Sequence, residues 1–153
     1  MGVLYGSWKE HLNNNGKSHD YPMVMPWLFS KPFRRGHPEK VREIKARFAG
    51  RYLSRNSKAF ERQMKANIAH DTRGCLHPID VPALILVGKH DELTPPGMAK
   101  ELKSEIPNAE LLIFEQGGHA LYWEVPHLFN KAILDFLKSQ NLKVHKAKSQ
   151  FLS

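Results

Sequence analysis

The stretch VPALILVGKHDELTPPGMAKELKSEIPNAELLIFEQGGH, residues 81–119, determines the fold class of this chain. Residues 81–87 form a continuous apolar run that ends at Gly88, which is typical of a parallel strand buried on both faces. Apolar residues at helical spacing follow over 97–106, and a second short apolar run, 111–114, predicts another buried strand. Strand, helix and strand with short connections predict a βαβ crossover, and therefore an α/β protein with a parallel sheet.

The flanking segments carry weaker patterns. Residues 1–6 are expected to be the end of a core strand. Three prolines interrupt regular structure between residues 22 and 33, and two short amphipathic helices are predicted over 41–53 and 60–68, separated near Gly50. Apolar residues line one face of a final helix, namely Phe129, Ile133, Leu134 and Leu137. Residues 140–153 are polar and basic, which favours a disordered basic tail.

Composition is that of a folded protein with no obvious macromolecular ligand. Apolar residues make up 41% of the 153 residues and charged residues 25%, within the usual range for globular domains. The net charge of +8 is spread over two stretches and is not accompanied by an aromatic stacking platform, so no nucleic-acid binding is predicted. No apolar run approaches the ~20 residues of a membrane span, and no membrane partner is predicted. The single cysteine, Cys75, excludes an intrachain disulfide and favours a reducing, cytoplasmic setting.

Two chemically active side chains follow the two predicted strands. Asp91 comes four residues after Val87, and His119 comes five residues after Phe114. Loops at the carboxyl ends of parallel strands meet at one edge of a sheet, so we expect the Asp91 carboxylate to lie within hydrogen-bond reach of the His119 imidazole. A carboxylate that orients a histidine as general base is the acid–base part of a catalytic triad. Gly117 and Gly118 permit the sharp turn and close approach that this requires.

Residues 79–137, which contain both side chains, resemble the C-terminal end of α/β-hydrolases of the cofactor-free haloperoxidase, esterase and enol-lactonase group. In that group a strand followed by G-x-x-D-x-x-x-P presents the triad acid, and a later G-x-G-H or G-G-H element presents the base. Asp91 and His119 occupy these two positions. The resemblance implies a partial α/β-hydrolase fold in which 7–76 is a helical cap segment and 77–139 is the C-terminal part of the core. It implies no cofactor and no metal.

The nucleophile of such enzymes is not found in this sequence. The family places its serine in a G-x-S-x-G turn upstream of the acid, and no such motif occurs among the 153 residues. None of the serines before Asp91 has the flanking glycines, namely Ser7, Ser18, Ser30, Ser54 and Ser57. Cys75 does not lie in such a turn, known as the nucleophile elbow, and therefore does not replace the serine. The sequence therefore predicts a truncated hydrolase chain that is inactive alone.

Several of these residues could have a structural role instead of a functional one. Asp91 can instead cap the helix that follows Pro95 and Pro96. Metal binding by His90, Asp91 and His119 is the weaker alternative, because no further ligand spacing supports it. A substrate pocket is expected from Trp27, Phe29, Leu121 and Tyr122, for which packing in the core is the competing interpretation.

Three functions of different classes remain open at this stage. The favoured one is a serine hydrolase that acts on a small apolar carboxylic ester or lactone, although the resemblance leaves open whether an ester or a C–C bond is cleaved. The second is a non-catalytic assembly module that forms a homo-oligomer, or complements a second chain, through an exposed sheet edge. The third is a basic nucleic-acid binder, which the dispersed charge disfavours.

Overall fold

The computed structural model of the protein describes residues 26–49 and 57–150. In chain order the elements are α1 (Lys31–Gly36), α2 (Pro38–Ala49), α3 (Ser57–Ala69), β1 (Ala83–Gly88), α4 (Pro96–Glu105), β2 (Ala109–Phe114), α5 (Leu121–Glu124) and α6 (Pro126–Gln150). The predicted α/β class is confirmed. The strand expected at residues 1–6 lies outside the described residues, as does the stretch 50–56, which includes Gly50.

The two strands form the predicted parallel crossover. β1 pairs with β2 in a register that runs from Ala83 opposite Ala109 to Gly88 opposite Phe114. Helix α4 connects them and packs against both. Because the strands end at the same level, the loops 89–95 and 115–120 leave one edge of the sheet together.

The first strand differs from its prediction in position and burial. It begins at Ala83 and not at Val81, because Pro82 has no N–H to give to a strand ladder. Val87 is buried, whereas residues 83–86 are only partly buried. The prediction that both faces are covered along the whole run is therefore wrong. Within the described ranges β1 pairs along one edge only, so most of its length keeps some contact with solvent.

The helices match the amphipathic patterns, with one extension. Helices α2 and α3 occupy the two predicted positions upstream of the sheet. Helix α6 runs on through residues 140–150, where the sequence favoured a disordered tail. That stretch contains neither glycine nor proline, so nothing in it interrupts the helix. Among the described residues no helix combines the length and apolar character needed to cross a membrane.

A hydrophobic cluster joins the segment before the sheet to the loop after β2. Its buried members, here called the cap core, are Phe29, Phe33, Val41, Ile44 and Ala120, and Leu28 and Trp123 pack against them. The rings of Phe29 and Phe33 stack with centroids 5.5 Å apart. Fully burying a large apolar side chain contributes about 1.5–3 kcal/mol, so the cap core ties the helical segment 28–44 firmly to the histidine loop.

Glycine is required where the two loops leave the sheet. A Cβ on Gly88 would lie 2.6 Å from the carbonyl carbon of Gly117 and 2.8 Å from the carbonyl oxygen of Gly118. Both obstacles are backbone atoms, which cannot rotate away. Gly117 itself has a φ of 98°, in the left-handed region that favours glycine. The two strand ends therefore approach each other closely because neither carries a side chain there.

We expect Gly88→Ala to lower the free energy of unfolding by about 1–3 kcal/mol or more, because the added methyl forces the Gly117 backbone to move. The matched control is Gly97→Ala in α4, where an added Cβ meets nothing within 4 Å. Urea denaturation of the three proteins provides the comparison. Equal midpoints for Gly88→Ala and the unchanged chain would contradict this account of the loop approach.

Candidate active site

The Asp91 carboxylate is buried and held by its own loop. The residue is 7% exposed and lies three positions after the end of β1. Its Oδ1 accepts hydrogen bonds from the backbone N–H groups of Leu93 and Thr94, each at 2.9 Å. An aspartate that bonds backbone amides two and three residues ahead stabilises a turn. Helix α4 begins later, with Pro95 as its N-cap and no side-chain capping bond, so Asp91 organises the loop and does not cap the helix.

The second oxygen of Asp91 faces His119, as the sequence predicts. Nδ1 of His119 lies 3.0 Å from Oδ2 of Asp91. The histidine side chain is 39% exposed and the aspartate side chain 6%. With the proton on Nδ1, the ring donates to the carboxylate and leaves a lone pair on Nε2. This is the arrangement of an oriented general base, and the catalytic roles of the two residues stay predictions.

Thr94 belongs to the same cluster, although the sequence did not single it out. Its hydroxyl donates to Oδ2 of Asp91 at 2.9 Å and lies 3.2 Å from Nδ1 of His119. Asp91 thus has four donors arranged around it within one loop and one facing loop. The signal in the sequence was the threonine three residues after the aspartate, a spacing suited to a hydroxyl that returns to the carboxylate.

The histidine loop is attached directly to the loop of the acid. Backbone N–H groups of Lys89 and His90 donate to the carbonyls of Phe114 and Gly117, at 2.8 and 3.1 Å. These two bonds extend the ladder between the strands into the loops. The exposed side chains of Lys89 and Glu115 add an ion pair at 2.6 Å, which holds the pKa of Glu115 below its ordinary value.

A small, largely apolar cavity of about 220 Å³ lies beside His119. Two of the predicted pocket residues, Phe29 and Tyr122, line it. Leu121 is 4% exposed and packs beneath the loop, and Trp27 is partly buried and does not belong to the lining. The remaining residues that line it beside His119 are Leu28, Ile44, Ala120 and Trp123.

Two further polar side chains, His90 and Asp71, do not contact the Asp91–His119 pair. His90 borders a separate cavity with His37 and Gln116, away from the lining around His119. Within the described parts of the chain, no three histidine, cysteine or acidic side chains form a group able to hold a metal ion. Asp71 bonds to Arg73 at 2.8 Å, and this hydrogen bond holds the pKa of its carboxyl well below the usual range.

The sequence of this chain matches a protein-family model along residues 22–126, more than half of its length. The description of that model is alpha/beta hydrolase fold. The chain belongs to the α/β-hydrolase fold family. This confirms the resemblance on which the fold prediction depended, and it places the Asp91 and His119 loops within a hydrolase scaffold.

Solved structures and curated sequences agree with this family. MGS-M2, an α/β hydrolase enzyme from a Medee basin deep-sea metagenome library, is 28% identical, with a TM-score of 0.76 over 87% of this chain and 49% of that chain. AB hydrolase superfamily protein YisY of Bacillus subtilis (strain 168) is 41% identical over 69 residues, 45% of this chain and 26% of that protein. The 2-hydroxy-6-oxononadienedioate/2-hydroxy-6-oxononatrienedioate hydrolase 1 of Dechloromonas aromatica (strain RCB) is 40% identical over 62 residues, 40% of this chain and 22% of that protein. The aligned residues thus span about a quarter of these curated relatives and about half of the solved hydrolase.

We expect Asp91→Asn to disturb both the ring and the loop. The amide keeps an oxygen for Leu93 and Thr94 but turns an NH₂ group toward the Thr94 hydroxyl and His119, so the Nδ1–H form of the ring loses its acceptor. The free energy of unfolding should fall by about 1–3 kcal/mol. Nitrogen-15 shifts of the imidazole, measured by NMR, report the tautomer.

The control for this substitution is Asp80→Asn, which alters an exposed aspartate. It should change neither the tautomer of His119 nor the urea midpoint. A ring that keeps the same tautomer population in Asp91→Asn would show that the carboxylate does not orient it.

Proposed function

We propose that this chain supplies the acid and the base of a Ser-His-Asp triad in a hydrolase that acts on a carboxylic ester or lactone. The observation that carries the proposal is the 3.0 Å contact between Nδ1 of His119 and Oδ2 of the buried Asp91. Membership of the α/β-hydrolase fold family supports the same reaction class.

In the proposed reaction His119 moves protons while Asp91 stays ionised. Nε2 takes the proton of the serine hydroxyl as that oxygen attacks the carbonyl carbon, and the Asp91 carboxylate stabilises the imidazolium that forms. The same Nε2 proton then passes to the departing alkoxide, which leaves the acyl group on the serine. A water molecule attacks this ester and gives a proton to Nε2, which returns it to the serine oxygen as the carboxylic acid leaves. Two backbone amides and the Thr94 hydroxyl donate hydrogen bonds to the same carboxylate, and these bonds hold it in its orientation toward the ring.

The serine itself has to come from a G-x-S-x-G elbow, which these 153 residues do not contain. Oxyanion donors of the family lie partly beside that elbow. We therefore propose that turnover requires a segment bearing the elbow, and that the 153 residues do not hydrolyse esters by themselves.

The cavity beside His119 supports a small apolar substrate. Its volume of about 220 Å³ is below the roughly 300–1,000 Å³ of pockets that enclose drug-sized ligands. Phe29, Ile44 and Trp123 present apolar surface to it. A short acyl or alcohol group fits these features better than a long chain.

A second candidate substrate class comes from the Dechloromonas relative. The name of that relative gives its substrate as 2-hydroxy-6-oxononadienedioate or the corresponding trienedioate. It is 40% identical to this chain over 62 residues. The same His119 and Asp91 would serve that hydrolysis, since both substrate types require a base beside a carbonyl carbon. Turnover of this dianion in preference to a short ester would favour the second class.

We expect the chain to hydrolyse p-nitrophenyl acetate once it is joined to a hydrolase half that bears a G-x-S-x-G elbow. His119→Ala in the joined protein should lower kcat by about 10²–10⁴-fold, because the general base is lost. His90→Ala is the matched control and should leave kcat unchanged, since His90 borders a different cavity. Release of p-nitrophenolate provides the rate, and full activity in His119→Ala would eliminate the triad.

A non-catalytic assembly module is the second candidate function. Within the described ranges the sheet has two strands, and three leucines of α6 are more than half exposed, namely Leu128, Leu134 and Leu137. Open sheet edges and exposed apolar side chains favour association with another chain, and Leu134 and Leu137 share one face of α6 because they are three positions apart. The proposed partner is a second copy or a complementary chain that covers this surface.

Light scattering coupled to size-exclusion chromatography tests the assembly. Self-association predicts a mass near twice the 17.6 kDa of the chain, and Leu134→Lys with Leu137→Lys should shift it toward the monomer. A monomer at all concentrations, with a cooperative thermal transition, would argue against this function.

A further inference from the structure

Glu124 connects two parts of the fold that lie far apart in sequence. It ends α5, five residues after His119. Its Oε1 accepts hydrogen bonds from the backbone N–H groups of Gly118, at 2.9 Å, and Ser30, at 2.8 Å. Its Oε2 accepts from the Ser30 hydroxyl at 2.5 Å. One carboxylate therefore holds both the histidine loop and the segment that begins α1.

The Ser30 side of this contact is rigid. Ser30 is 4% exposed, and its Oγ accepts from the N–H of Phe33, so it caps α1. Phe33 in turn belongs to the cap core. Glu124 is thus anchored to a fixed helix start and not to a mobile side chain.

The two residues that flank His119 are both tied to this segment. Gly118 reaches it through Glu124, and the N–H of Ala120 donates directly to the carbonyl of Leu28 at 2.7 Å. The peptide groups on either side of the histidine are therefore constrained. Loss of either bond would free the backbone that aims the ring at Asp91.

The geometry explains why the group is a carboxylate and why its neighbour is glycine. Three donors converge on Glu124, and an ionised carboxylate offers acceptor sites for all of them without any competing donor. A Cβ on Gly118 would lie 2.7 Å from the Ser30 nitrogen and 3.1 Å from Oε1 of Glu124. The close packing of these groups leaves no room for a side chain.

We propose that Glu124 is a positioning residue for His119, acting through Gly118 and Ser30, a role that rests on the proposed function of His119 as the base. By fixing the histidine loop to the start of α1, the Glu124 carboxylate keeps Nδ1 over Asp91 and holds the cavity wall formed by Leu28, Phe29 and Ala120 in place. A purely structural role would instead change overall stability and leave the state of the ring unaltered.

The experiment compares Glu124→Ala and Glu124→Gln with the unchanged 153-residue chain. Two NMR quantities are measured: the ratio of the Nδ1–H to the Nε2–H tautomer of His119, and the hydrogen-exchange protection of the Gly118 amide. Glu124→Ala should lower the protection of Gly118 at least tenfold and the tautomer ratio at least threefold, toward that of Asp91→Asn. Both quantities in Glu124→Gln should lie between those of Glu124→Ala and those of the unchanged chain, because the glutamine amide oxygen still accepts the hydrogen bond from Gly118.

The matched control is Glu115→Gln. Glu115 is an exposed carboxylate at the same sheet edge, and its pair with Lys89 is solvent-exposed on both sides. Because exposed ion pairs contribute little, Glu115→Gln should leave both quantities unchanged. Circular dichroism establishes that each variant is folded. A folded Glu124→Ala with the tautomer ratio and Gly118 protection of the unchanged chain would overturn the proposal. If Glu124→Ala does not fold, a folded Glu124→Gln in which both quantities equal those of the unchanged chain would overturn the proposal.

These readouts need no ester hydrolysis, so the two proposals fail separately. An altered His119 ring in the Glu124 variants, together with no loss of esterase activity in His119→Ala of the joined protein, would refute the triad and retain the positioning contact. An unaltered ring together with a strong His119→Ala effect would refute only the role of Glu124.

Discussion

The close approach of the β1 and β2 ends is the constraint on which the rest of this site depends. Gly88 and Gly117 meet backbone to backbone, and two hydrogen bonds carry the ladder of the strands on into the loops. Only this distance allows a short aspartate side chain from one loop to touch the imidazole of the other. The carboxylate is then shielded from water, which strengthens its interaction with a positively charged ring.

Packing against the cap core gives the histidine loop its second support. The segment 28–44 supplies three of the seven residues that line the cavity, and Ala120 from the loop is one of the five buried members of that core. Burial of apolar side chains thus holds together the groups that polar contacts orient. The Glu124 carboxylate fixes the orientation of the packed segments, because hydrogen bonds are directional whereas apolar contacts are not.

Local patterns were sufficient to predict the crossover and the pairing of Asp91 with His119. Each residue lies four or five positions after an apolar run, and parallel strands bring their carboxyl ends to one edge, so sequence position alone implied proximity. Element limits were less accurate where a pattern had no clear stop. The absence of glycine and proline after residue 139 let α6 continue, whereas the polar composition of that stretch had favoured a tail.

The sequence by itself determined the α/β class, the family and the two loops that carry the candidate acid and base. The tertiary structure alone decided that Thr94 joins the pair, which predicted pocket residues reach the cavity, and that Glu124 meets Ser30. Those two residues are 94 positions apart, and no periodic pattern links them. Their contact exists because the cap core brings distant segments together, a packing outcome that depends on side chains from both at once.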